Sequence, residues 1–320
     1  VTVERDRIHA AQRNLRRLGF PCGAADGVLG TLTKSAMLDW AMSVGRLDLT
    51  MPRLIAEVGL HAAPAPAEVP PLPWDEDDVV HGFDTSGHQK DELLDLATAA
   101  ETQSFHIVKV TEDDYYHFSG AQARIGASRD VGMLVGEYHF FRPADGWRDD
   151  FNAWQAHSCY RAGDLPPMVD AEKGRRRDLG GGKFAPATNQ MANDNLADLL
   201  AMGRAVADVV GVKPLCYFTS PAWGWYFRRA DDGLKAQLGD VYDLVLADYV
   251  RDQKGRISPD IDLAWDFEHD DLAAMRRSGL TGRVVCWQVT GRGRVQWYAN
   301  GTKDIDRCVM HRAYFDEVTE

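Results

Sequence analysis

The stretch GMLVGEYHFFRPADGWRDDFNAWQAHSCYRAGDLPPMVDAE, residues 132–172, decides the fold class. It opens on an apolar run, 132–141, of the length of a buried strand. A helical pattern follows over 147–161, and a second apolar run, PPMVDAE (166–172), closes the unit. Two such runs joined by ten or more helical residues pair in parallel through a right-handed crossover. The alternation extends in both directions. Apolar runs recur as VVHGFDTS (79–86), FHIVKVTE (105–112), KPLCYFTS (213–220), YDLVLADYV (242–250) and VVCWQVTG (284–291). Helical patterns lie over 91–102, 118–130 and 187–209. Seven or eight strands in about 240 residues fit an irregular, TIM-like β/α barrel, less helical in its second half, better than an open sheet.

Ahead of the barrel the pattern is purely helical. Residues 4–18 carry Ile8, Ala11, Leu15 and Leu18 at helical spacing and end at Gly19. A second helix opens near Thr31 or Thr33 and carries Ala36, Met37 and Trp40, and 50–58 can supply a third. The expected organisation is a small three-helix domain over 1–60, a linker over 61–78 and the barrel over 79–320. The linker, HAAPAPAEVPPLPWDEDD, holds five prolines and favours extended, semi-rigid geometry.

The net charge of -12 argues against nucleic acid, which demands a basic footprint. Residues 1–60 carry a net +2, which leaves -14 on the remainder and suits docking of the first domain on an anionic surface. No run of about 18 apolar residues offers a membrane span, so membrane insertion is not expected. Five scattered cysteines (Cys22, Cys159, Cys216, Cys286, Cys308) lack metal-site spacing and read as free thiols from a reducing cytoplasm. VTVERDRIHAAQRNL lacks the apolar core of a secretory signal. His88, His106, His139 and His157 are dispersed, so no zinc site and no cofactor is expected. A monomer is the expected state.

Carboxylates end the apolar runs. Asp84 closes the first, Asp170 and Glu172 close the fourth, and Asp306 lies in the last extended segment, TKDIDRCVM. Strand ends converge on one face of a β/α barrel, where active sites form. Residues i and i+2 on a strand share a face at about 6.6 Å between backbones. Two carboxyls that close cannot both ionise freely, which splits them into an acid and a carboxylate, the pair that glycosidic cleavage uses. An acidic pair of this kind is also common on solvated surfaces. Its place at the end of a buried strand is what favours a site, because burying two carboxylates costs several kcal/mol.

The segments HGFDTSGHQ, FHIVKVTE, GEYHFFRP, MVDAE, KPLCYFTS, LADYV and WQVTGRGRVQW…KDIDRCVM occur in the order of the glycoside hydrolase family 25 lysozymes, which this chain resembles over about residues 80–312. The resemblance implies hydrolysis of the β-1,4 bond between N-acetylmuramic acid and N-acetylglucosamine in bacterial peptidoglycan. It implies Glu172 as general acid and Asp170 as the electrostatic partner that orients the substrate's acetamido group. Asp84 and Asp306 match supporting acidic positions, and Lys109, Tyr138, His139, Tyr217, Tyr249, Trp287 and Gln288 match positions that line the cleft. The segment AQRNLRRLGF…ADGVLGTLTKSA resembles the small helical peptidoglycan-binding domain, with Gln12, Leu15, Gly19, Asp26, Gly27, Gly30, Thr33 and Ala36 in register. A tight turn alone would also explain Asp26-Gly27 and Gly30.

Two departures stand out. Asp113-Asp114 replaces the family's usual Gly, and a basic, glycine-rich loop follows the acidic pair, with Arg175, Arg176 and Arg177 either solvated or contacting a wall polymer. The segment 259–279 has no family counterpart and reads as a solvated helix face. Taken together, the resemblance implies a phage endolysin, made in the host cytoplasm and acting on the wall after release, with a bacterial autolysin as the other setting. A non-catalytic wall-binding protein on a decayed scaffold, or a hydrolase of another N-acetylglucosamine polymer, remain alternatives.

Overall fold

A computed structural model describes residues 2–17, 20, 22, 27–43, 46, 49–60, 76–142, 146–172, 174, 178–180, 183–184, 188–219, 222–247, 270–301 and 303–319. The Pro-rich stretch 61–75, Arg175–Arg177, Tyr249 and 251–269 lie outside the described residues.

The strands are β1 (Val79–Thr85), β2 (Phe105–Glu112), β3 (Tyr116–His117), β4 (Leu134–Phe140), β5 (Met168–Asp170), β6 (Asp178–Gly180), β7 (Lys183–Phe184), β8 (Leu215–Thr219), β9 (Asp243–Ala247), β10 (Val284–Gly293) and β11 (Ile305–His311). Eight of them close a barrel in the order β1-β2-β4-β5-β8-β9-β10-β11 and back to β1. Neighbours from β1 to β10 run parallel, whereas β11 runs antiparallel to both β10 and β1. The short β3 folds back on the end of β2, and β6 and β7 form a separate hairpin.

The helices are α1 (Thr2–Arg17), α2 (Thr31–Ser43), α3 (Met51–Leu60), α4 (Leu96–Ala99), α5 (Ala121–Asp130), α6 (Trp147–His157), α7 (Asn189–Val210), α8 (Asp232–Ala236), α9 (Leu238–Val241), α10 (Asp270–Arg277) and α11 (Arg312–Thr319). The long crossover α7 shows why such a segment is helical. Thr188 caps its first turn by accepting from Met191 N, and Gly211 ends it in the left-handed region at φ 78. Its Leu196, Leu199, Leu200 and Val206 are buried against the barrel. Gly203 lets the ring of Tyr242 seat on the helix, and Tyr242 OH donates to Leu199 O at 2.6 Å. The helix expected over 91–102 is split into a 3-10 turn at Asp91–Leu93 and the short α4. Leu94 adopts an extended backbone bridged to Tyr298, and helix resumes only after Asp95 accepts from Thr98 N.

Strand alternation divides the core into two layers. Ile107, Tyr138, Met168, Tyr217, Val245, Cys286, Cys308 and Met310 fill the barrel, while Val108, Val110, Val169, Phe218 and Leu246 face the helices. In the segment read as a solvated helix face, Leu272 and Met275 of α10 join the outer layer, so one side of that helix is packed.

The N-terminal helices enclose their own small core of Ile8, Leu15, Met37, Trp40, Leu54 and Val58. Gln12 is its polar centre. Its amide donates to Val28 O at 3.1 Å and Thr33 Oγ1 at 3.0 Å, and accepts from Gly27 N at 2.8 Å. Gly27 sits at φ 72 with Arg5 O where a Cβ would be. These motif residues therefore knit the loop to both helices. Asp39 of α2 pairs with Arg228 at 2.9 Å and with Arg229, and Arg228 stacks over Phe20, so the helical region contacts the barrel's outer layer.

Candidate active site

Asp84 is the sixth residue of β1, and Asp170 ends β5, both at the C-terminal mouth of the barrel. Glu172 follows two residues later, and Ala171 N still donates to Tyr217 O at 3.0 Å, so the chain keeps strand direction through the pair. Asp306 arrives by another route. It is the second residue of β11, and because that strand runs backwards its N-terminal end lies at the same mouth. Asp84 and Asp306 are register partners. The first and last strands thus meet as the barrel closes, with β11 antiparallel to β1.

The loop after Asp84 is held by Arg124 of α5. Its guanidinium donates to Ser86 O at 2.6 Å, Gln89 O at 2.5 Å and Asp91 at 2.7 Å, and it stacks over Phe118. Next to it His106 is fully buried. Its ring nitrogens lie 2.8 Å from Thr85 Oγ1 and 2.7 Å from Ser128 Oγ, and burial pushes its pKa well below the ordinary value, so it packs as a neutral ring.

Three of the four acids have their proton affinity raised, each by burial first and by repulsion from Glu172 as well. Burial pushes Asp170 well above the ordinary carboxylate range, followed by repulsion from Glu172 and Asp84, and Lys109 opposes the rise. Burial also lifts Asp306 well above that range, with Asp84 and Glu172 adding to it. Asp84 rises to about 6 through burial, held down by hydrogen bonds from Gln288 and Cys308. Asp170 Oδ1 is buried with no hydrogen-bond partner among the described residues. Tyr138, whose ring faces these acids, is kept a neutral phenol by burial and by their negative field.

Lys109 extends over the rings of Phe140, Tyr116 and Tyr138 and donates to Glu112 at 2.5 Å. Glu112 also accepts from Arg142 at 2.5 Å and from Tyr115 OH at 3.2 Å. Glu112 and Arg142 form a polar cluster beside the acids that the sequence reading missed. The signal was present, since Glu112 stands three residues after Lys109 where β2 leaves the barrel. Asp113 holds the left-handed conformation at φ 53, which glycine adopts most readily, and brings a carboxylate to the turn.

Two expected cleft residues face the other way. His139 is fully buried between barrel and helices, 2.9 Å from Thr111 Oγ1 and donating from Nε2 to Asp150 of α6 at 2.7 Å. Trp287 is buried in register with Leu246, on the outward side of β10. Tyr138, Lys109, Tyr217 and Gln288 point inward. The five cysteines are free thiols, and among the described residues no group of three or more His, Cys, Asp or Glu could hold a metal ion.

The raised acids have a consequence for stability. Asp84 sits at about 6 in the folded state against an ordinary 3.8, so the folded chain holds a proton there that the unfolded chain releases. That contribution is whole below about pH 4 and is lost as pH rises through about 6. Asp84→Asn removes the charge, so its Tm at about pH 7.5 is expected to exceed the wild type's by roughly 3–6 °C. The advantage should vanish near pH 4. Thermal unfolding by circular dichroism at both pH values checks this, and equal Tm values at about pH 7.5 would refute it.

The family model described as glycosyl hydrolases family 25 matches residues 83–296. Among solved structures, the chain is similar to a family 25 glycosyl hydrolase from Bacillus anthracis, with TM-score 0.54 and 18% identity over 78% of this chain and 98% of that one. A bacterial lysozyme from Streptomyces coelicolor gives TM-score 0.53 and 18% identity, over 75% and 96%. The CTP1L endolysin gives TM-score 0.50 and 14% identity, over 75% and 69%. No curated protein sequence matches the chain. Among the described residues, no helix is long and apolar enough to cross a membrane.

Proposed function

From the premise that this chain belongs to glycosyl hydrolases family 25, we propose that it cuts the β-1,4 bond between N-acetylmuramic acid and N-acetylglucosamine in peptidoglycan. The observation that carries the reading is the meeting of Asp84, Asp170, Glu172 and Asp306 at one mouth of the barrel, where the charge of Glu172 raises the proton affinity of the other three.

In this reading Glu172, less buried than Asp170 and at the end of the pair, protonates the glycosidic oxygen as the bond to the anomeric carbon breaks. The substrate's own acetamido oxygen attacks that carbon from the opposite face. Asp170 Oδ1, an acceptor with no partner among the described residues, takes the acetamido N–H and offsets the positive charge that spreads over ring oxygen and amide. Glu172, now a carboxylate, removes a proton from the water that opens the cyclic intermediate. One proton is given and one regained, and the anomeric configuration is retained.

The region 1–60 is proposed to be a peptidoglycan-binding domain, on the strength of its motif and of the helical core built around Gln12. The setting proposed is a phage endolysin, made in the host cytoplasm and acting on the wall after release.

The test is the identity of the new chain end. Purified peptidoglycan is digested, reduced with borohydride and hydrolysed. Reduced muramic acid is the expected product. Reduced glucosamine, or cleavage of chitin oligomers in preference to peptidoglycan, would overturn the assignment.

A further inference from the structure

Asp84 is gripped at a single oxygen. Gln288 of β10 donates from Nε2 to Asp84 Oδ2 at 2.6 Å, and Cys308 Sγ of β11 approaches the same oxygen at 3.5 Å. Gln288 is in turn oriented from β8, where Tyr217 OH donates to its Oε1 at 2.7 Å. An amide whose oxygen accepts from a phenol must present its NH2 in the other direction. Tyr217 thereby decides which end of Gln288 meets Asp84. Tyr217, Gln288 and Asp84 are 5%, 6% and 7% exposed, so the chain of bonds is buried along its length.

We propose that Tyr217 and Gln288 are positioning residues that keep Asp84 ionised, so that the proton shared among the strand-end acids is left on Glu172. The inference deepens the proposed function and rests on its assignment of Glu172 as the general acid. Several groups face Asp84 from the packed strands: Asp306 and Cys308 from β11, Asp170 and Glu172 from the end of β5 and Tyr138 from β4, with Cys286 of β10 next to Cys308 and Lys109 of β2 next to Asp170. Lys109 is the cation of that set and is already engaged by Glu112. Four carboxyls this close to one another cannot all ionise. The member that accepts donors on its oxygen is the one held as an anion, and its negative charge then raises the proton affinity of its neighbours. Asp84 accepts two such donors.

The roles of acid and anion are thus assigned from a distance. Tyr217 and Gln288, expected among the residues that line the cleft, are linked in series to Asp84, Tyr217 through Gln288.

The experiment measures kcat and KM against pH on a soluble oligosaccharide of alternating N-acetylglucosamine and N-acetylmuramic acid, for the wild type, Gln288→Met and Tyr217→Phe. Without the Gln288 donor, Asp84 takes up a proton more readily and Glu172 loses a charged neighbour. The acid limb of kcat/KM should move up by about one pH unit and the basic limb down, with KM within about twofold at the new optimum. Tyr217→Phe should shift both limbs in the same directions by less. Because it removes one hydroxyl and keeps the ring, it preserves the test even if Gln288→Met fails to fold. Unmoved limbs with a raised KM would make the pair substrate contacts. Unmoved limbs with a lower kcat and a lower Tm would make them structural. Either result overturns the inference while leaving the muramidase reading intact, whereas a wild type that leaves the oligosaccharide uncut sinks both.

Discussion

Glu172→Gln is expected to lower kcat on a natural glycan by about 10³–10⁴-fold, the range for losing a positioned general acid. The glutamine keeps the size of the side chain and removes only the proton to be given. Two signatures separate this from a folding defect. A dinitrophenyl glycoside, whose leaving group departs without protonation, should retain a far larger share of its rate than the natural glycan does. The basic limb of the pH profile, which reports loss of the acid's proton, should also disappear. Rate losses of equal size on both substrates would remove Glu172 from the role of acid.

The second large effect is expected at Asp170. Asp170→Asn should cost about 10²–10³-fold in kcat, as for loss of an electrostatic partner to the transition state. KM should change little, because the interaction grows as positive charge develops on the anomeric carbon and acetamido group. The variant should also fold more stably at neutral pH, since burial and the neighbouring acids penalise the charge of the native carboxylate. A fall in kcat accompanied by a higher Tm is the combination to look for. If substrates lacking the acetamido group lose the same factor on this substitution, Asp170 is not working through that group.

Much of this arrangement was legible in the chain. The β-α-β unit at 132–172 set the class, and the acidic pair at its end marked the mouth of the barrel. The two cleft residues that face outward, His139 and Trp287, could have been placed from strand geometry alone. Consecutive residues on a strand point to opposite faces, so Tyr138 and His139 cannot both line one cleft, nor can Trp287 and Gln288. Tyr138 and Gln288 took the inward positions, and their neighbours were left to pack under the helices. The reversed course of β11 was harder to read, because short apolar runs carry no mark of direction. It matters, since only an antiparallel strand brings Asp306, near the strand's start, beside Asp84, near the end of β1. The bond from Gln288 to Asp84 joins residues 204 positions apart, and no local pattern announces such a contact. Arg175–Arg177 and Tyr249 lie outside the described residues, so the roles expected of them stay with the sequence.

The most direct measurement compares the wild type with Glu172→Gln on purified peptidoglycan, counting new reducing ends while co-sedimentation confirms that both proteins bind the wall. Comparable binding and a steady release of reducing ends by the wild type alone are expected. Equal release by both proteins would contradict the assignment of Glu172. Binding by both with release by neither would leave a wall-binding protein on a hydrolase barrel.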